Sequence, residues 1–367
     1  MRIAFHTPLK PLDHPTPSGD RSMARALAGI LRRLGHEVIV IDHYDPGRRG
    51  LVGPDRLSEE RDRQRARLPE LIALRPDLWF TYHLWYKRPD WLGPAVSAAL
   101  KIPYAVAEAS YAPKRAGGPW DLGHRAVGDA LRAADLVLTL NPDDSAMIAP
   151  LLRASEIAVT IPPFLDAAPF RAARRAPQAG TPMLLAVGMM RPGDKLASYR
   201  LLADALQRVR DLDWRLTIVG DGEARADVEA AFAPLSDRVT CRGAVDAVGL
   251  PAIYASADLL VWPAINEAYG IALLEAQATG LPIVAGRTRG VPAVVGEGES
   301  GLLPTLGDAP AFADAVRALL VDPARRAALA AGARARIDRD HDLPAAEARI
   351  GAALKSMLAR RATEAAA

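Results

Sequence analysis

One cysteine, Cys241, stands in a chain of 367 residues. That excludes an intramolecular disulfide and a cysteine-held metal site, and it makes a reducing compartment the natural expectation. Aromatic residues are also scarce, at 5% against 50% hydrophobic residues overall, so the apolar content is chiefly Ala, Leu and Val. No apolar run approaches the roughly 18 residues that mark a membrane span. The opening stretch RIAFHT is too short for a secretory signal core and reads as a strand. Nor does charge of one sign dominate: 46 Lys and Arg stand against 43 Asp and Glu, a formal net charge of +3. The arginines are scattered among acids rather than clustered, so no nucleic-acid partner is expected. These absences leave a soluble, cytoplasmic globular protein, with weak peripheral contact at the inner face of the membrane as the alternative. At this length two domains are expected rather than one core.

Short apolar runs alternate with helical patterns almost from end to end. Arg2–Thr7 is a first strand, a helix starts near Gly19, and Val38–Ile41 is a second strand. An Arg/Glu-rich helix over Asp55–Leu74 precedes a strand at Asp77–His83, and IPYAVAEAS, ADLVLTL and EIAVTIPP supply three more. Buried runs alternating with helices indicate a parallel sheet built from βαβ units. At Pro162 the rhythm breaks, and PPFLDAAPFRAARRAPQAGTP reads as an interdomain linker. Alternation restarts with MLLAVG, WRLTIVG, RVTCRGAV, ADLLVWPA and LPIVAG. The expected fold class is α/β, with two Rossmann-like doubly wound domains over 1–168 and 169–340. An amphipathic helix and a frayed tail follow over 341–367. Ligands of such sheets bind beyond the carboxyl ends of the strands, so the expected site is a cleft between the two domains.

The stretch Asn266–Ala276, NEAYGIALLEA, carries two glutamates eight positions apart. On one helix Glu267 and Glu275 would point about 80° apart at roughly 100° per residue, so the spacing makes sense if the chain passes from loop to helix between them. A helix opening near Tyr269–Gly270 would offer the amides of Tyr269, Gly270 and Ile271 to an anion such as a diphosphate. Gly270, lacking a Cβ, lets the backbone come close to the ligand. Two carboxylates flanking a diphosphate, each able to hold vicinal hydroxyls, describe a nucleotide-sugar site. A solvated loop glutamate and a helix-surface glutamate are the plainer reading of the pair taken alone.

The surrounding array adds weight. LLAVGMMRPGDK places Arg191 and Lys195 beyond a strand and its Gly188, WRLTIVGDGEAR runs from a strand into a Gly-Asp-Gly turn, and GRTRGVPAVVGEGESGLLPTLGD follows the two-glutamate motif. Over Met183–Asp308 this order and spacing resemble the retaining glycosyltransferases of family 4, which have the GT-B fold. PSGDRSMARALAGILRRLGHEVIV, ADLVLTLN and IAVTIPPFLDAAPF resemble the first half of that family more loosely. The resemblance implies a metal-independent hexosyl transfer, without cofactor, from a nucleotide-diphospho-sugar to a hydroxyl on a saccharide, lipid-linked or small-molecule acceptor. It also implies roles. Glu267 would contact donor-sugar hydroxyls near the reacting carbon, and Glu275 the ribose. Tyr269, Gly270 and Ile271 would bind the diphosphate, with Asn266 and Ala268 beside them, while Lys195 would neutralise the leaving phosphate. Gly19 and Asp20 would lie in the first-domain loop that packs against the donor diphosphate, and backbone at Arg242, Gly243, Ala244 and Val245 would meet the base. A C-terminal helix that crosses back to the first domain is also implied.

The departures from that family are local. Met189 and Met190 stand where an arginine usually follows the strand-end glycine, which displaces Arg191 and sets Lys195 one residue late. Asp20 replaces the second glycine of the first loop, and Ala268 the glycine before the aromatic. The family's first-domain histidine is missing; AVAEAS offers Glu108 and Ser110 there, and His83 ends the previous strand. Two rivals remain open: a nucleotide-sugar epimerase on the same fold, and a catalytically idle subunit that binds a sugar nucleotide or a partner. GDGEAR is half a dinucleotide fingerprint, but Arg225 fills its third glycine position. Asp211 and Asp213 look like a metal-binding pair of another glycosyltransferase fold, but they lie in a polar turn and read as solvated surface. WFTYHLWYKRPDW offers stacking rings, with Lys87 and Arg88 to hold an acidic group, or else simply core and interface. RLSEERDRQRARLPELIALRP reads as a solvated helix before it reads as a lipid-binding face.

Overall fold

The computed structural model describes residues 1–16, 18–43, 53–140, 142–173 and 180–366. Pro17 of the first-loop motif, Asn141 of ADLVLTLN, residues 174–179 of the expected linker and Ala367 of the tail lie outside the described residues. The chain divides into two compact units, Met1–Pro162 with Ala346–Ala367, and Pro163–Ala345. The sequence-based boundary at 168/169 and the division at Pro162 both fall in the proline-rich stretch.

In the first unit the described strands are β1 (Arg2–His6), β2 (Glu37–Val40), β3 (Leu78–Leu84), β4 (Tyr104–Ala109), β5 (Leu136–Thr139) and β6 (Ala158–Thr160). They form one parallel sheet in the order β2-β1-β3-β4-β5-β6. Strands β3 and β5 are buried almost throughout, as expected where helices cover both faces of a parallel sheet. Helix α1 (Gly19–Arg33) follows β1. Its N-cap is Ser18, whose hydroxyl accepts the Arg21 N–H at 3.3 Å, and Met23, Leu27, Ile30 and Leu31 line its buried stripe. The strand order reverses between β1 and β3, so the carboxyl ends of these two strands mark the switch point where ligands of such sheets bind.

The second unit repeats the plan with β7 (Met183–Val187), β8 (Arg215–Val219), β9 (Val239–Gly243), β10 (Leu259–Trp262), β11 (Ile283–Ala285) and β12 (Gly301–Leu302). All are parallel, in the order β12-β11-β10-β7-β8-β9. Here the reversal falls between β7 and β10. The helices that matter for the site are α2 (Asp194–Gln207), α3 (Leu250–Ala255) and α4 (Ile271–Ala278). Fully buried Trp214, Tyr199, Tyr254 and Phe312 anchor this core.

Three expectations need correction. The helix expected over Asp55–Leu74 is a short turn, Pro54–Arg56, and two helices, Leu57–Arg65 and Leu68–Ala73; Pro69 sits in the first turn of the second helix, where its missing N–H costs nothing. The start of the expected linker is folded structure: Phe164, Leu165 and Ala167 are buried, Leu165 exchanges backbone bonds with His341 and Leu343, and Ala168–Ala172 is helical. The tail is helical rather than frayed, because α5 (Leu343–Ala366) runs on through ATEAA, in which alanine and glutamate are strong helix formers. From Ala346 onward α5 belongs to the first unit. Its Glu347 meets Arg33 at 2.6 Å and its Arg361 meets Asp135 at 3.0 Å. Among the described residues no helix is long and apolar enough to cross a membrane.

Candidate functional site

In the second unit a group of polar side chains meets at the switch point between β7 and β10. Strand β10 is LLVW, wholly buried, and the loop after it turns through Ala264 and Asn266, both in the left-handed region at φ 57° and 54°. Non-glycine residues in that region are strained and must be held by their surroundings. The Glu267 amide donates to Ala264 O at 3.1 Å, and the Ile265 amide donates to Ser198 Oγ at 3.0 Å. Asn266 donates to Asp194 Oδ2 at 2.7 Å and accepts from Arg289 at 3.2 Å. Gly270 then takes φ 75° and α4 starts at Ile271. Glu267 is therefore on the loop and Glu275 on the second turn of the helix, as their spacing requires. Ala268 is exposed, with its carbonyl accepting from the Gly290 amide, and Tyr269 is buried. The first amides of α4 have no carbonyl partner within their own helix.

Lys195 is the second residue of α2, not a loop residue, and its Nζ is ion-paired with the Glu267 carboxylate. Trp262 binds both groups: its indole N–H donates to Glu267 Oε2 at 3.3 Å, and the Lys195 ammonium lies 5.2 Å from its ring centroid. The two paired side chains are 28% and 18% exposed, so solvent screens the pair less than it would at the surface. The methionines explain the displaced arginine. Met190 is fully buried; its amide donates to Asp221 O and its carbonyl accepts from Ala224. Met190 thus plugs the core and Arg191 projects as an exposed side chain. Gly188 sits where a Cβ would come within 3.1 Å of the Trp262 ring, and its carbonyl accepts from Tyr199 OH at 2.7 Å.

At the end of β9 Arg242 is exposed and the Gly243 carbonyl accepts from the Gly220 amide at 2.9 Å; just beyond it Ala244 is exposed and Val245 half-buried. Helix α3 then brings the fully buried Tyr254 to Glu275, where its hydroxyl donates to Oε2 at 2.7 Å. Burial pushes the Glu275 carboxyl up to about 7, with the Tyr254 hydrogen bond acting in the opposite sense.

The first unit has its own cluster at the β1–β3 switch point. Gly19 opens α1 and Asp20 lies in its first turn, where a carboxylate suits the positive helix end. Asp20 Oδ1 is 3.1 Å from His83 Nδ1. His83 and Glu108 lie side by side on β3 and β4, between the register pairs Tyr82–Ala107 and Leu84–Ala109, and both take positive φ, 64° and 56°. The Ser110 amide donates to Leu84 O, which leaves the seryl side chain half-buried at the strand end. Burial opposes charge on His83, yet Glu108 and Asp20 outweigh it and raise its pKa. Burial raises Glu108, with His83 acting against it and Asp20 and Asp144 adding to the rise.

Other candidates are occupied elsewhere. Lys87 lies over the rings of Trp85, Trp120 and Tyr86 at 5.1, 5.3 and 5.9 Å, so the aromatic cluster holds the protein's own cation. Arg88 is buried 3.6 Å from Glu60. Asp211 is paired with Arg317, and Asp213 accepts from the Thr181 hydroxyl. The sequence reading missed Trp262, Tyr254 and Asp194. Trp262 passed as a strand residue, and Tyr254 lies 21 positions from its partner, too far for any local spacing to show the contact.

Residues 181–322 match the family model described as Glycosyl transferases group 1. That segment contains the stretch from Gly188 to Lys195, Tyr254 and both glutamates. Among curated proteins, a D-inositol 3-phosphate glycosyltransferase of Acidothermus cellulolyticus is 29% identical over 296 residues, 73% of this chain and 66% of that protein. A 2-deoxystreptamine glucosyltransferase of Streptomyces kanamyceticus is 30% identical over 53% of this chain and 54% of its own. The chain thus spans less than two thirds of the length of these relatives. Of solved structures, sucrose-phosphate synthase of Thermosynechococcus elongatus superposes with TM-score 0.73 at 22% identity, over 98% of this chain and 100% of its own. HepE of Anabaena, solved in complex with UDP, gives 0.74 at 17%, over 97% of this chain and 100% of its own. The chain has the GT-B fold. In GT-B terms, the Lys195–Glu267 pair belongs to the second Rossmann-like domain and the His83–Glu108 cluster to the first.

Proposed function

We propose that the protein is a retaining family 4 glycosyltransferase that moves a sugar from a nucleotide-diphospho-sugar to an acceptor hydroxyl, without a metal. The observation that carries the proposal is the Lys195–Glu267 pair beside the open N-terminus of α4, at the switch point of the second unit. A diphosphate placed on the amides of Tyr269, Gly270 and Ile271 would draw the Lys195 ammonium to its oxygens. Glu267, released from Lys195, would then accept from the donor-sugar hydroxyls, and Glu275 would accept from the ribose. Gly188, Asn266 and Ala268 shape the approach, backbone at Arg242–Val245 meets the base, and exposed Arg191 adds positive charge near the phosphates.

In the reaction the bond from the anomeric carbon to the phosphate oxygen breaks and a bond to the acceptor oxygen forms on the same face. The acceptor proton passes to the departing phosphate oxygen. Gly19 and Asp20, at the opening of α1, serve the donor diphosphate, while His83, Glu108 and Ser110 serve the acceptor side of the first unit. The acceptor is a saccharide, a lipid-linked sugar or a small polyhydroxyl molecule, a class in keeping with the inositol phosphate and deoxystreptamine named for the relatives. The setting is the cytoplasm, free or at the inner face of the membrane.

A thermal-shift panel of UDP-, GDP- and ADP-glucose tests the donor half. Saturation at 100 times Kd adds about 2.7 kcal/mol and raises the melting temperature by several degrees. At least one donor is expected to do so for the wild-type protein, with the shift reduced in Glu275→Ala. If none of the three moves the transition, the donor assignment fails.

A further inference from the structure

We propose that Tyr254 is a positioning residue for the nucleoside: it ties up Oε2 of Glu275, leaves Oε1 as the oxygen offered to a ribose hydroxyl, and so governs the pH range over which the donor binds. The proposal rests on the nucleotide-sugar reading given above and adds a residue and a dependence to it.

The geometry fixes the direction of the contact. Tyr254 is wholly buried, and its ring meets Phe170 edge-to-face at 5.9 Å, so its hydroxyl cannot swing out to solvent. Burial, and then the charge of Glu275, hold its phenol well above the ordinary range. It therefore stays protonated and donates at any working pH, and Oε2 is always the accepting oxygen. Glu275 is part-buried as a residue and its carboxyl is enclosed; with Oε2 taken by Tyr254, Oε1 is the carboxylate oxygen left for a ligand hydroxyl.

Protonation of Glu275 places its proton on Oε1, which converts the acceptor offered to the ribose into a donor. The carboxyl titrates near neutrality because of burial, and Tyr254 is the group that lowers it. The charged groups on the elements packed against α4 are engaged elsewhere. Arg171, on the short helix before β7, is paired with Asp338 and Asp342. Arg336 is paired with Glu299, Arg339 with Glu299 and Asp340, Arg334 lies against Gly280, and His341 contacts Pro163 O. None of them contributes to the Glu275 shift. Helix α3 and strand β11 bring no other charged residue.

The test is calorimetric titration of the full chain with the nucleotide-glucose that binds, between pH 6 and 8.5. An intact sugar nucleotide has a diphosphate diester with no proton to gain in that range. For the wild type, Kd should weaken about tenfold from pH 8 to pH 6, as a group near 7 becomes protonated. In Tyr254→Phe the ring packing is kept and the hydrogen bond that favours ionised Glu275 is lost. The midpoint should therefore move up by about half a unit to one unit, with KM raised and kcat at saturating donor within twofold of wild type. Glu275→Gln should bind weakly and with no pH dependence. A purely structural Tyr254 would lower the melting temperature and leave the pH profile where it was, which would overturn the proposal. So would a wild-type profile that Glu275→Gln fails to flatten. If no nucleotide-glucose binds the wild type at any pH, the donor reading itself is overturned and this inference with it.

Discussion

Lys195 and Glu267 are 72 positions apart in sequence and meet because β7 and β10 are neighbours at a reversal of strand order. Trp262 keeps the pair in place through its ring face and its N–H, so one strand-end residue positions the cation and the carboxylate together. A comparable network in the first unit has a structural role. His6 Nδ1 is paired with Asp42, its Nε2 is 3.4 Å from Asp90, and Asp90 also accepts from Thr81 and Tyr104. Burial opposes charge on His6, but Asp42 and Asp90 win and its pKa is raised from 6.5. Burial likewise opposes charge on Asp42, and His6 more than offsets it, so Asp42 falls far below its ordinary 3.8. The raised histidine adds stability below 6.5 that fades as pH rises through its folded value. The depressed aspartate adds stability above 3.8 that fades as pH falls. Both contributions are present between about pH 4 and 6.5. Asp42→Asn should cost about 3–5 kcal/mol in urea unfolding at pH 5.5, and the gap should narrow as pH is raised to 9. A gap that is the same at both pH values would refute the charged pair.

At the scale of elements, the opening of α4 depends on one glycine. Gly270 takes φ 75°, and a Cβ there would meet Leu273 Cδ1 at 3.0 Å and Glu267 Cγ at 3.3 Å. Gly270→Ala should lose about 1–2 kcal/mol from the left-handed conformation alone, lower the melting temperature by roughly 2–6 °C, and weaken donor binding because the amides shift. A variant with wild-type stability and affinity would mean that the turn is not constrained. Most of the elements could be read in the sequence because parallel strands buried on both faces leave short apolar runs such as LLVW and MLLAV. The loop-to-helix passage inside NEAYGIALLEA could be read because eight residues cannot place two carboxylates on one helical face. The path of MMRPGDK could not. Whether a methionine fills the core or faces solvent depends on the partners of its backbone, here Asp221 and Ala224, which only the folded sheet brings near. The aromatic segment allowed two readings, stacking rings or core and interface, and composition could not show that Lys87 from the same segment lies over its rings.

For the molecule as a whole, two Rossmann-like units carry two separate polar clusters, each at a strand-order reversal of its own sheet. That division suits a transfer in which one unit holds a donor and the other an acceptor, and the near-balance of 46 basic against 43 acidic residues provides no broad field to draw a polyanion. Strand order was beyond the reach of periodicity, so the sequence named the loops after MLLAV and LLVW but could not show that these two strands are neighbours. The measurement that tests the central claim most directly is NMR analysis of products after incubation with the bound nucleotide-sugar and a panel of polyhydroxyl and saccharide acceptors. The account predicts a glycoside that keeps the donor's anomeric configuration, formed about 10²–10³-fold more slowly by Lys195→Ala and Glu267→Ala. An inverted product, or wild-type rates from both variants, would contradict it.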